Sequence, residues 1–122
     1  MIRPTYPYGM AVEVMSFETL REAHEEARDA AEREHVTPFI YWRPDRYRIR
    51  SVTMSPDLSL HRWTVDTLED FALVSRILEM LYPLKPDFQM ADVLSLLHVN
   101  PDWEEINRHV PQKIAIRRDE VQ

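Results

Sequence analysis

The sequence predicts an α/β fold in which helices pack on a sheet, and three observations predict it. Short β-branched or alternating segments at 10–15, 47–54 and 60–65 read as strands. Apolar residues recur at helical spacing from Phe17 to about Glu34, from Leu68 to Leu81, and again around Met90–Leu97 and Trp103–Ile106. The two kinds of segment follow one another as β, α, β, β, α, α, α, the order of a layered α/β arrangement.

The elements can be justified in turn. In 10–15, Val12 and Val14 share one face and Glu13 the other. Ser16 is placed to cap the helix that follows, with Met15 and Leu20 spaced as a hydrophobic staple. That helix carries Leu20, Ala23, Ala27 and Ala30 as a narrow stripe of mostly small residues, suited to close packing. Its acidic remainder sets Glu22 against Glu26 and Glu25 against Asp29, like charges four residues apart that call for partners. Pro38 stops the helix, because the residue before proline is pushed out of the α region. Phe39–Tyr41 is a short aromatic run. In 47–54, apolar parity shifts between Ile49 and Val52, which suggests a bulge near Arg50 and Ser51. Leu60 to Val65 puts His61, Trp63 and Val65 on one side.

Thr67-Leu-Glu-Asp70 is a helix start with a capping hydroxyl and acidic residues at the positive end. Phe71, Val74, Leu78 and Leu81 form its expected apolar stripe, with Ile77 beside it. Asn100-Pro101 opens a last short helix, since proline is tolerated at the first helical position. A single domain over 1–110 is expected, with 111–122 as a tail.

Composition excludes several functions. The 122 residues include no cysteine, so there is no disulfide framework, thiolate metal site or cysteine nucleophile. Gly9 is the one glycine in the chain. A phosphate-cradling loop needs glycines for close backbone approach, so a self-contained nucleotide site of that kind is excluded. Net charge is −6, against the cationic face that nucleic acid requires. No apolar run approaches the roughly 18 residues that span a bilayer. The proline-rich start does not suit a signal peptide, and a cytoplasmic location is expected.

Three clusters could carry chemistry, and each has a plainer reading. Asp66 lies between a strand end and a helix start, where α/β sheets bind ligands, and with Glu69 and Asp70 nearby it suits a hard cation. Equally, acidic residues there satisfy a helix N-terminus. Arg33 and His35 could face an anionic substrate, or simply complement a helix C-terminus. Arg43, Arg46, Arg48 and Arg50, interleaved with Tyr41, Trp42 and Tyr47, could contact RNA or a sugar phosphate, or form a solvated face. The remaining histidines show no metal-ligand spacing.

Three segments together resemble a known family: Tyr6-Pro7-Tyr8-Gly9-Met10-Ala11-Val12-Glu13-Val14, Arg33-Glu34-His35-Val36-Thr37-Pro38, and Arg62-Trp63-Thr64-Val65-Asp66-Thr67-Leu68-Glu69-Asp70-Phe71. In this order, over roughly residues 5 to 108, they are similar to the C-terminal half of sugar cytidylyltransferases. The nearest type is the spore-coat polysaccharide biosynthesis protein F group, akin to the CMP-KDO and acylneuraminate cytidylyltransferases. The resemblance implies a partial nucleotide-diphospho-sugar transferase, Rossmann-like fold. It also implies Mg²⁺-dependent attack of a sugar hydroxyl on the α-phosphate of CTP. By the same resemblance Asp66 matches a metal-binding aspartate, Glu13 a position near the sugar pocket, and Arg33 and His35 a substrate-side motif.

The chain departs from the family with Ala11 where aspartate is usual and Leu68 where proline is usual. It has no counterpart of the family's N-terminal nucleotide-binding half, which agrees with the glycine shortage. The expectation is therefore a part of a CMP-sugar synthase, inactive alone, whose partner is that missing half or a second copy. The competing expectation is a non-catalytic dimerisation module using the exposed first strand, since an open edge templates pairing.

Overall fold

The computed structural model describes residues 4–112; residues 1–3 and 113–122, which include most of the expected tail, lie outside the described residues. The helices are α1 Phe17–Glu26, α2 Ala30–His35, α3 Pro38–Tyr41, α4 Leu68–Leu81 and α5 Met90–Val99, followed by a 3-10 helix at Pro101–Ile106. The described residues form two compact units, one from 4–11 with 53–111, the other from 12–52.

In the first unit, α4 begins where the sequence places it. The Thr67 hydroxyl accepts from the Asp70 amide, and the Asp70 carboxylate reaches back to the Thr67 amide, closing a capping box. Asp70 thereby faces inward, and its helical neighbours follow at i+3 and i+7. Leu73 and Ile77 are buried with Val93 and Leu97 of α5, and Trp63, Leu81, Phe88, Trp103 and Ile106 pack around them. This corrects the expected stripe. Phe71 and Leu78 are 61% and 44% exposed, because the buried polar network at Asp70 sets the rotation of the helix. Asn107, just past the 3-10 helix, is buried as well.

In the second unit the expected helix over 17–34 is two helices. Ser16 caps α1 as predicted, accepting from the Thr19 amide. The chain leaves helical geometry at Ala27 (ψ 129°), and Asp29 caps a new start by accepting from the Ala31 amide. An aspartate competes well for backbone amides outside a helix, which is why the break falls there. Ala23 and Ala27 are buried against Phe39, so the small-residue stripe does allow close approach. The aromatic run is the helix α3, with Pro38 in its first turn. The Glu22/Glu26 repulsion is resolved by Arg46, whose guanidinium bonds Glu22 at 3.0 Å and Glu26 at 2.6 Å.

The sheet differs most from expectation. Among the described residues the three predicted strands form no ladder; one isolated parallel bridge joins Tyr8 and Arg62. A strand exists by virtue of its partner, since only pairing satisfies its amides and carbonyls. The segment at 10–15 has β-type side chains without that partner, and Val12 and Val14 stand 85% and 92% exposed.

Candidate functional site

Arg62 is a largely buried side chain beside the expected metal position, 9% exposed. Its backbone is fixed by bonds from the Tyr8 amide to the His61 carbonyl and from the Trp63 amide to the Tyr8 carbonyl, each 2.8 Å. Gly9 makes this approach possible. Its φ of +101° suits glycine, and a Cβ there would lie 2.7 Å from the Trp63 carbonyl oxygen. The single glycine is thus spent on chain packing beside Arg62, not on a phosphate loop. The Tyr8 ring lies over the Arg62 guanidinium, 5.1 Å from ring centre to carbon.

The guanidinium grips Asp70 with two bonds, Nε to Oδ1 at 2.8 Å and Nη2 to Oδ2 at 2.9 Å. Asn107 donates through its side-chain amide to Asp70 Oδ1 at 2.9 Å and to the Arg62 carbonyl at 2.8 Å. The amides of Asp66 and Thr67 complete the shell of Asp70. The Arg62 bond, with Asn107 and these amides, holds the Asp70 carboxyl far below the usual carboxylate range, overriding the opposing effect of burial. The same bond pushes the Arg62 guanidinium up. Asp70 is fully buried and fully engaged, so it is not free to ligate a cation. For Asp70 this matches the plainer of the two expectations, an acidic residue that satisfies a helix N-terminus, and not a cation ligand.

Asp66 is different. Its carboxylate is 58% exposed and meets Arg62 Nη2 through Oδ2 at 3.2 Å, while no hydrogen bond to Oδ1 is present among the described residues. No group of three or more His, Asp or Glu that could hold a metal ion occurs among the described residues. At Asp66 itself, a cation would meet one carboxylate oxygen that has no hydrogen bond among the described residues. That fits Mg²⁺, which commonly takes one or two carboxylates together with substrate phosphates and waters.

The other expected residues lie in the second unit. Glu13 is exposed, and its charge, added to burial as the larger cause, pushes the Tyr41 phenol up. Arg33 and His35 occupy the last turn of α2, two residues apart and so on different faces. Arg33 donates through Nη1 to the His24 carbonyl at 3.0 Å, and His35 is half-exposed beside Glu34. Immediately after them Val36 has φ +65° and ψ −63°, and the Thr37 amide bonds the His35 carbonyl at 2.8 Å. This is a γ-turn of the rarer, strained form, held here on a β-branched residue. Arg33 and Val36 line a cavity of about 410 Å³ with Phe17, Leu20, Ala23 and His24.

The arginine cluster divides. Arg43 bonds the buried Glu32 at 2.6 Å and lies over the Phe39 ring, and Arg46 is tied to α1, so neither presents a free cation. Sequence reasoning placed Asp70 beside Asp66 at the helix start but gave no role to Arg62 or Asn107. The Thr-x-x-Asp capping pattern was the available signal for Asp70. Nothing local marks Asn107, which lies 37 residues further on.

No protein family profile matches the chain. An uncharacterised protein of Methanocaldococcus jannaschii is 31% identical over 107 residues, covering 86% of this chain and 43% of that protein. A solved structure, a cytidylyltransferase from Leptospira borgpetersenii serovar Hardjo-bovis, superposes with a TM-score of 0.75 at 22% identity. That match covers 92% of this chain and 45% of the cytidylyltransferase. The likeness shows the fold: this chain is built like part of that solved structure, and it spans less than half the length of either protein. No helix among the described residues is long and apolar enough to cross a membrane.

Proposed function

We propose that this chain is the sugar-side portion of a CTP-dependent sugar nucleotidyltransferase, of the spore-coat polysaccharide F type, that makes a CMP-sugar for surface polysaccharide. The observation that carries this reading is the likeness of 92% of the chain to a cytidylyltransferase fold. The three sequence segments in register add to it.

In the reaction, a sugar hydroxyl oxygen forms a bond to the α-phosphorus of CTP. The bond from that phosphorus to the pyrophosphate oxygen breaks, and the hydroxyl proton is lost. Such transfers depend on positioning and on neutralising charge where it develops. Asp66 would hold Mg²⁺ through its open oxygen, and the ion would supply that neutralisation at the phosphates. Glu13 would accept a hydrogen bond from the sugar. Arg33 would bind an anionic or hydroxyl group through the donors not given to His24, and His35, two positions on, would be a further substrate contact. CTP itself would be gripped by a nucleotide-binding half outside these residues. With Mg²⁺ already present at equal concentration in cell and syringe, titrating CTP into the 122-residue chain by calorimetry should therefore give no measurable heat. Tight binding of CTP by the chain alone would overturn the division of labour.

A second reading, a non-catalytic dimerisation module derived from the same fold, is favoured by one observation, the exposed Val12 and Val14, which have no strand partner among the described residues. Sedimentation at several concentrations separates the two. A tight symmetric dimer, indifferent to nucleotide, would favour the module.

A further inference from the structure

We propose that Arg62 is a positioning residue for Asp66, held in place by a buried relay from Asn107 through Asp70. This rests on the proposed role of Asp66 toward a divalent cation and names what aims it. Two carboxylates share the one guanidinium of Arg62. Asp70 is fully buried and takes both Nε and Nη2 of Arg62. The same Nη2 then reaches Asp66 Oδ2 at 3.2 Å. An exposed aspartate beside a helix start has several rotamers open to it, and this bond selects one, leaving Oδ1 without a hydrogen bond among the described residues.

The selection has value only if Arg62 cannot follow Asp66, and several contacts prevent that. Its side chain is 9% exposed. Asn107 bonds both its carbonyl and its principal carboxylate partner. Tyr8 covers the guanidinium face, and the Gly9 approach pins the backbone. The planar fork is what lets one side chain serve two carboxylates at fixed angles; a lysine ammonium would keep the charge without that geometry. Ligating carboxylates are commonly held by hydrogen bonds of this kind, and losing such a partner typically lowers metal affinity about 10–100-fold.

The Arg62→Lys substitution isolates orientation from charge, because the positive charge that repels a cation is retained. Two measurements on the full chain decide the matter. In the unsubstituted protein, three-bond NMR couplings should show Asp66 in one χ1 rotamer; averaging over several would overturn the proposal without any variant. In Arg62→Lys the couplings should become averaged, and Mn²⁺, read by amide line broadening around Asp66, should bind at least tenfold more weakly. A rotamer and a Mn²⁺ affinity both unchanged in that variant would also overturn it. Absence of Mn²⁺ broadening at Asp66 in the unsubstituted chain would instead count against the metal role of Asp66, leaving the rotamer to decide the role of Arg62.

Discussion

Asp70→Asn should cost the chain about 3–5 kcal/mol of stability, the usual range when one member of a buried ion pair is removed. The structure shows where the loss arises. The carboxylate is fully buried and accepts from Arg62 Nε and Nη2, from the Asp66 and Thr67 amides, and from Asn107. Asparagine keeps a single acceptor oxygen. If that oxygen replaces Oδ1, its NH₂ group faces three donors at the Oδ2 position, and Arg62 loses its main counter-ion. Asp66 offsets little of this, because its pair with Arg62 is exposed on one side. Urea unfolding followed by emission of Trp63 and Trp103, which pack on the Leu73/Ile77 core, reads the loss. With a slope of roughly 1.5 kcal/mol/M, a loss of about 3 kcal/mol moves the midpoint by about 2 M. A shift below about 0.5 M would refute the claim that this carboxylate organises the unit. Asp66→Asn serves as control and should cost about 1 kcal/mol or less.

Two other outcomes are expected. Gly9→Ala should destabilise the same unit by more than about 1 kcal/mol, since the new Cβ meets the Trp63 carbonyl at 2.7 Å and φ is +101°; a thermal midpoint equal to the parent's would contradict this. Burial first, then the bond to Glu22, pushes the Tyr47 phenol up to about 12. An unfolded tyrosine ionises near pH 10, so the folded form holds its proton longer, and stability should fall as pH rises from about 10 through 12. Spectrophotometric titration of Tyr47→Phe beside the parent checks this: a lost phenol that had titrated at the ordinary value would contradict it.

Much of the helical structure was legible because its signals are local. Ser16 and Thr67 cap where their hydroxyls can reach an amide three residues on, and Pro101 opens a helical turn. The break at Ala27 was missed because periodicity runs straight through it, and the competing cap at Asp29 is a single residue. The inward face of α4 was misplaced for a different reason. Apolar spacing favoured Phe71 and Leu78, whereas a buried polar group eight residues from its partner arginine set the rotation. The strands illustrate the limit of propensity, because Val12 and Val14 carry β character that only a neighbouring chain segment could turn into a ladder. In the candidate site, the place of Asp66 just before a helix was readable. Its sorting from Asp70 depends on Arg62 and Asn107, contacts that spacing along the chain does not reveal.

In the proposed enzyme Asp66 serves cytidylyl transfer within a larger fold. The direct measurement joins this chain, in place of its aligned segment, to the remainder of the Methanocaldococcus jannaschii protein and follows pyrophosphate release from CTP with Mg²⁺ and a panel of sugars. The fusion should release pyrophosphate with at least one sugar, and Asp66→Asn should lower the rate by roughly 100-fold or more, a loss of nearly 3 kcal/mol of transition-state stabilisation. Release that is absent from the unsubstituted fusion, or undiminished by Asp66→Asn, would contradict it.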